Sequence, residues 1–335
     1  MAEILVNNFQ PKGSTSNHMD TGLLAVCPPS IREAVSGMPV EFTAKLQEIR
    51  LRLGGPLYVQ GCDSGYFLDA SGRLLDRPEE AYGVTAGDLE RVFQNITRSS
   101  VYALEEEMRS GFITVPGGHR VGFTGEAVVV DGSLKGLKNI SCLNIRVCRQ
   151  IQGCAGKLLP LLITSNKTVY HTLIISPPKC GKTTLLRDIV RQLSSGIASL
   201  GFTGVNVAVV DERSEIAASY LGCPQLDVGY RTDVLDKCPK SQGMYLLVRS
   251  MSPEVIGTDE LGKPEDASAV QEVLNAGIKL ITTVHGNGVD DIRRRPVLNE
   301  LLEQGLFERL VVLGRSKGVG TIEAVVDGLS GKRLL

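Results

Sequence analysis

Residues Leu173 to Leu186 read LIISPPKCGKTTLL. An apolar run ends in a turn carrying Pro, Gly and Lys, and helical spacing follows at once. This arrangement predicts a phosphate-binding loop between a buried strand and a helix, with Gly181, Lys182 and Thr183 as its GK[ST] core. A residue without a Cβ at Gly181 lets backbone N–H groups close around β-phosphate oxygens. Lys182 brings a mobile charge to the β- and γ-phosphates, and the Thr183 hydroxyl can ligate Mg²⁺. The helix that starts here aims its positive dipole end at the anion. The predicted nucleotide contacts are Ser176, Pro177, Pro178, Lys179, Cys180, Gly181, Lys182, Thr183 and Thr184. The strict GxxxxGK[ST] spacing is not met, because its first glycine falls on Ser176 and Lys179 stands where a small residue is common. A bare GKT triplet also occurs in ordinary strand–helix turns, so the assignment depends on the rest of the chain.

Downstream, VNVAVVDERSE reads as a buried strand that delivers Asp211, Glu212, Arg213 and Glu215 at its carboxyl end. Open parallel sheets handle ligands at that end; a solvated helix start is the alternative. PEVIGTDELG (Pro253 to Gly262) is a second short strand, ending in Asp259 and Glu260. There Asp259 would hold Mg²⁺ through water and Glu260 would polarise the attacking water. KLITTVHG gives a third strand ending in Thr282, Thr283 and His285, and it is expected beside the Asp259 strand, where a γ-phosphate would be sensed. Helices are expected after the loop, with Leu185, Leu186, Ile189, Val190 and Leu193 on one face, and again at Ala267 to Ala276 and Val297 to Gln304. LVVLG and TIEAVV close a sheet with a parallel core and antiparallel edge strands.

The 335 residues allow two domains with two sizeable cores. Lys plus Arg total 36 against 37 acidic residues, a net charge of −1, so a generally basic nucleic-acid surface is not indicated. No apolar run approaches the ~18–20 residues that cross a bilayer, and the N-terminus has no signal-peptide pattern. A soluble cytoplasmic protein is expected, with any membrane contact made indirectly. The eight cysteines form no CxxC pair and the four histidines do not cluster with them, which argues against zinc and for a reducing compartment.

Residues 1–20 are polar and aperiodic; Met19 is a candidate start, with the preceding stretch an extension outside the fold. Residues 21–150 are expected to form a smaller α+β domain and residues 151–335 the ATPase domain, which opens with a connecting helix and loop from Gly153 to Lys167. In the first domain EIRLRL (Glu48 to Leu53) alternates as a half-buried strand, and GYFLDASGRLL and FITVPGGHRVGFTGEAVVV read as hairpins. A helix beginning at Thr85 or Gly87 places Leu89, Val92, Phe93 and Ile96 on one face, and a second one, capped by Ser99 or Ser100, carries Glu105, Glu106 and Glu107. Gly132 to Lys138 reads as a loop, and Ser141 to Ile151 as a further strand. Arg120, Arg146 and Arg149 lie on or beside strands. They are either strand-surface arginines or, Arg146 first, groups that reach a γ-phosphate bound by a neighbouring subunit.

Taken together, EIRLRL, PGGHRVGFTGEAV, NIRVCRQI, SPPKCGKTTLLRD, VVDERSEIA, GYRTDVLDKCPKSQGM, RSMSPEVIGTDELG, LNAGIKLITTVHG and FERLVVL resemble the stage III sporulation protein AA family, a relative of type II and type IV secretion ATPases. The resemblance runs from about Glu48 to Asp327. It implies a RecA-like C-terminal domain with a mainly parallel sheet, and a homo-hexameric ring with ATP and Mg²⁺ at subunit borders. It implies an Asp-box role for Asp211, Glu212 and Arg213, Walker B for Asp259 and Glu260, and the His-box role for His285. N-terminal arginines would complete the neighbour's site, in line with the independent reading of Arg146. It also implies an ATP-driven motor working with membrane proteins of a channel between mother cell and forespore. A nucleic-acid-binding ATPase is the alternative, but the net charge gives it no support and the relatives of that type carry a C-terminal module with no counterpart here. A non-hydrolysing nucleotide switch is a further alternative, against which Glu260 argues.

Overall fold

The computed structural model describes residues 21–97 and 111–335. The helix expected after Ser99 or Ser100 and the extension at residues 1–20 lie outside them. The chain divides into two compact units, the first ending at Arg149 and the second spanning Gln150–Leu335.

The first unit opens with helices α1 (Thr21–Val26), α2 (Pro29–Ser36) and α3 (Val40–Thr43). Strands β1 (Leu46–Arg52), β2 (Tyr58–Gly61), β3 (Gly65–Leu68) and β4 (Leu74–Leu75) follow, then helix α4 (Ala86–Thr97). Strands β5 (Phe112–Val115), β6 (His119–Val130) and β7 (Ser133–Arg146) complete one sheet, ordered β4-β3-β2-β1-β7-β6-β5, whose paired strands are all antiparallel. The inward-facing residues Ile49, Leu51, Val59, Val121 and Ile145 meet Leu23, Ile31, Val35 and Val92 of the helices in a single core. Helix α4 begins where Thr85 and Asp88 cap each other. The Thr85 N–H donates to the Asp88 carboxylate at 2.9 Å, and the Asp88 N–H donates to the Thr85 hydroxyl at 3.2 Å. Leu89, Val92 and Ile96 are buried on this helix, whereas Phe93 is only half-buried.

The expected loop at Gly132 to Lys138 is instead strand. Asp131 and Gly132 both take positive φ, 52° and 71°, and form a two-residue hairpin turn from which β7 departs at once, with Val130 opposite Ser133. Lys, Gly and Ser along this arm hide a strand whose two sides are both largely exposed. The strand expected from Ser141 to Ile151 starts earlier and ends at Arg146.

In the second unit a short helix α5 (Leu159–Leu162) precedes β8 (Thr172–Ser176), the predicted loop and helix α6 (Lys182–Ser195). Then come β9 (Val207–Asp211), β10 (Thr232–Asp236), α7 (Lys240–Ser250), β11 (Val255–Thr258), α8 (Pro264–Asn275), β12 (Lys279–His285), α9 (Val289–Arg293), α10 (Pro296–Glu303), β13 (Arg309–Gly314) and β14 (Thr321–Asp327). The sheet order is β10-β9-β11-β12-β8-β13-β14, parallel throughout except for β14, which runs against β13. Every residue of β8, β9 and β11 is buried, as strands covered on both faces must be. Helix α6 lies so close to β11 that a Cβ at Gly257 would stand 2.9 Å from Val190 Cγ2, so glycine is needed there to seat the helix. This packing sets the carboxyl ends of β9, β11, β12 and β8 in one row, ending at Asp211, Thr258, His285 and Ser176.

Candidate active site

The loop Pro177–Gly181 leaves β8 and enters α6 through Gly181, whose φ of 84° lies in the left-handed region that glycine takes without strain. Lys179 also has positive φ, 58°. Lys182, the first residue of α6, is buried, with only 7% of its side chain exposed. Its ammonium lies 3.1 Å from Glu260 Oε1, and 3.3 and 3.2 Å from Nδ1 and Nε2 of His285. His285 Nε2 lies 2.9 Å from the same Glu260 oxygen, and Arg213 Nη1 donates to Glu260 Oε2 at 3.0 Å. Four residues distant in sequence thus converge because β9, β11, β12 and β8 lie side by side in the sheet. The Glu260 backbone is fixed as well: its φ is 46°, and its N–H donates to the Thr283 hydroxyl at 2.9 Å. Burial alone would raise the Glu260 carboxyl, but the hydrogen bond and charge of Lys182, with the charges of His285 and Arg213, hold it below its ordinary range.

Asp259, one residue earlier, is in the opposite situation. It is 1% exposed, and neither carboxylate oxygen has a hydrogen-bond partner among the described residues. Burial is the main reason its pKa is pushed up to about 6; the nearby Lys240 opposes this, and Asp211, Glu260 and Glu215 add to it. A buried carboxylate with two unpartnered oxygens fits a role beside a divalent cation, and magnesium needs only one or two protein oxygens when phosphates and water supply the rest. Among the described residues no group of three or more His, Cys, Asp or Glu gathers in a metal-holding cluster.

The raised pKa carries a stability consequence. Because the folded chain holds the Asp259 proton more tightly than the unfolded chain, stability falls as pH rises from about 4 to about 6 and stays reduced above that. The cost is of order 3 kcal/mol for a shift of about two units. Asp259→Asn is therefore expected to raise the thermal midpoint at pH 7.5 by up to about 6–12 °C, on the scale of about 2–4 °C per kcal/mol for a unit of this size. It should also flatten the pH dependence between 4 and 6. Melting curves across that range check this, and an unchanged or lower midpoint at pH 7.5 would count against a buried, unpaired carboxylate.

Asp211, at the end of β9, accepts the N–H groups of Glu215, Ile216 and Ala217 with its carboxylate at 2.8, 3.0 and 2.8 Å, and so organises the loop that follows. Arg187 of α6 grips the other side of this loop, donating to the carbonyls of Glu215 and Ile216. Held between them, the loop presents Arg213 to Glu260 and Glu212 to two lysines. Glu212 pairs with Lys240, which is nearly buried at the start of α7, and Lys263 Nζ lies 3.6 Å from its other oxygen. Burial raises the Glu212 carboxyl, but Lys240 above all, with Lys263 and Arg213, keeps it below the ordinary value. Thr183 and Thr184 stand half-buried on the first turn of α6, and the Ser176 hydroxyl donates to the Pro177 carbonyl at 2.8 Å. Arg146 belongs to the first unit, where it is exposed at the end of β7, opposite Glu48 and Arg120, with its guanidinium 5.4 Å from the Phe112 ring centre.

Sequence reasoning singled out neither Lys240 nor Arg315 as a site residue. Arg315 follows β13 and donates to the loop itself, to Cys180 Sγ at 3.2 Å and to the carbonyls of Pro178 and Lys179 at 3.3 and 3.0 Å. Nothing around Arg315 in the sequence marks it. Lys240 sits within GYRTDVLDKCPKSQGM, a stretch legible only through family resemblance.

The chain is thus an α/β protein whose fold is similar to that of the ATPase DotB and the pilus retraction motor PilT. It aligns with the ATPase DotB of Legionella pneumophila at a TM-score of 0.52 and 14% identity, over 80% of this chain and 72% of that one. It aligns with the pilus retraction motor PilT, solved with bound ADP, at a TM-score of 0.52 and 14% identity, over 88% and 78% of the two chains. The chain belongs to the sporulation stage III, protein AA family, whose match spans residues 21–334. It is 40% identical to the stage III sporulation protein AA of Bacillus subtilis (strain 168) over 302 residues, 90% of this chain and 93% of that protein. Among the described residues no helix is long and apolar enough to cross a membrane.

Proposed function

We propose that the chain is a Mg²⁺-dependent ATPase of the RecA-like type and the motor of a membrane-associated sporulation channel complex. The observation that carries this reading is the Lys182 ammonium, seated between Glu260 and His285 beside a buried Asp259 that has no hydrogen-bond partner among the described residues. In this reading residues 151–335 form the ATPase domain, residues 21–150 the smaller domain, and copies of the chain form a hexameric ring. Arg146 completes a neighbour's site. The ring acts on the cytoplasmic side and reaches the membrane through partner proteins, in transport or assembly between mother cell and forespore.

The residues divide the work by their geometry. The loop amides and Lys182 take the β- and γ-phosphates, so Lys182 gives up Glu260 when nucleotide enters. Freed of that cation, Glu260 polarises the attacking water while His285 and Arg213 hold its orientation. Thr183 and Asp259 stand where Mg²⁺ would be held, directly and through water, and the ion supplies neutralisation of phosphate charge when bound. Glu212, with its lysines, sets the charge at the end of β9. The nearness of secretion and pilus motors in fold, and the sporulation proteins among the relatives, supports a motor over a metabolic enzyme.

The test is ATP hydrolysis as a function of protein concentration, with and without single-stranded DNA. Turnover per subunit is expected to rise with concentration, as shared sites form, and to ignore DNA. Stimulation by DNA would favour a nucleic-acid ATPase, and a chain that neither binds nor hydrolyses ATP, alone or with membrane partners, would refute the reading.

A further inference from the structure

The departure of the loop from the usual glycine pattern has a structural counterpart outside the loop. Pro177 and Pro178 carry no N–H, so the anion-facing donors on this side of the loop begin at Lys179. Each N–H shares a rigid plane with the carbonyl of the residue before it and, in a trans peptide, points the opposite way. The Lys179 N–H is therefore aimed by the Pro178 carbonyl, and the Cys180 N–H by the Lys179 carbonyl. Those are the two carbonyls to which Arg315 Nη2 donates, at 3.3 and 3.0 Å, while Nε donates to Cys180 Sγ at 3.2 Å. The Lys179 φ of 58° costs a non-glycine residue free energy, and the guanidinium offsets it.

The arginine is delivered by the sheet. Strand β13 pairs in parallel with β8, Val312 opposite Ile175, so the loop and Arg315 leave adjacent strand ends side by side. Its own base is fixed. Glu323 accepts the Ser316 N–H at 3.0 Å and the Ser316 hydroxyl at 2.8 Å, and Thr321 donates its hydroxyl to the Gly318 carbonyl at 2.7 Å. The same connection covers Gly181 closely, for a Cβ there would stand 3.6 Å from Gly320 Cα and 3.7 Å from Val319 Cγ1.

We infer that Arg315 is a positioning residue for the phosphate loop: it grips two outward carbonyls so that the Lys179 and Cys180 N–H groups face the anion. The inference rests on the nucleotide-binding reading above, and its test separates the two. ADP affinity is measured by calorimetry for the wild type, Lys182→Ala, Arg315→Ala and Arg315→Lys. Arg315→Ala is expected to raise the ADP Kd and the ATP KM about tenfold, equivalent to about 1.4 kcal/mol. The loss in kcat should be much smaller, because the reacting groups are elsewhere. Arg315→Lys, which keeps the charge but not the fork, should fall between the alanine variant and the wild type, and it carries the test if the alanine variant fails to fold. ADP affinity within twofold of wild type in both Arg315 variants, with Lys182→Ala impaired, would overturn the role of Arg315 alone. A wild-type protein that binds no ADP would overturn both readings.

Discussion

Glu260→Gln is expected to keep nucleotide binding and to lose turnover by roughly 10²–10⁴-fold, the range that a positioned general base contributes. The Glu260 carboxylate is held by Lys182, His285 and Arg213, which keep its pKa below the ordinary value and make it a poor proton acceptor. On the proposed mechanism the same network would make it a better one. When phosphates draw Lys182 away, the largest cause of the lowering is withdrawn, and the burial that remains pushes the carboxyl upward toward useful basicity. Glutamine keeps the size of the side chain and its contact with Arg213 but cannot take a proton. It also releases Lys182 from an ion pair, so ATP affinity should be equal to or somewhat tighter than in the wild type. Single-turnover hydrolysis beside equilibrium ATP binding checks both halves. Normal turnover in this variant would sink the assigned role.

The parts of this network were legible in the sequence to the extent that burial wrote them there. Strands β8, β9, β11 and β12 are covered on both faces, so they read as short apolar runs, and the polar residues that end them stand out abruptly. Placing His285 beside Asp259 followed from that reading, and β12 does pair with β11. Strand β10, TDVLD, is a half-exposed edge with acids at both ends of its core pair, and α7, KSQGMYLLVRS, carries a glycine and no clean apolar stripe; neither was visible. Strand β7 was hidden for the same reason, since an exposed two-sided arm imposes no alternation. Asp211 was legible as an acid at a strand end, but the three N–H groups of its own loop that it accepts were not, because they depend on how the chain turns after β9. Arg315 had no local signal at all. Its role arises from the pairing of β13 with β8, a relation of strands 133 or more residues apart in sequence that no spacing rule contains.

Lys182→Ala carries the largest expected effect on binding. Its ammonium is the one cation that α6 places at the phosphate loop from within, and only 7% of its side chain is exposed, so an arriving phosphate meets it largely out of water. Truncating one partner of such a buried charged contact costs about 2–5 kcal/mol, at least about 30-fold in Kd. The fold should survive. Glu260 keeps His285 at 2.9 Å and Arg213 at 3.0 Å, so the carboxylate is not left buried alone, and the core face of α6, with Leu185, Leu186, Ile189, Val190 and Leu193, is untouched. Two signs distinguish this from simple unfolding: a melting midpoint within a few degrees of wild type, and a Glu260 carboxyl whose pKa rises once the Lys182 hydrogen bond and charge are gone. Calorimetric titration with ADP, run beside thermal melts, measures the effect. An intact variant with unchanged affinity would mean that Leu173–Leu186 is a strand–helix turn and nothing more.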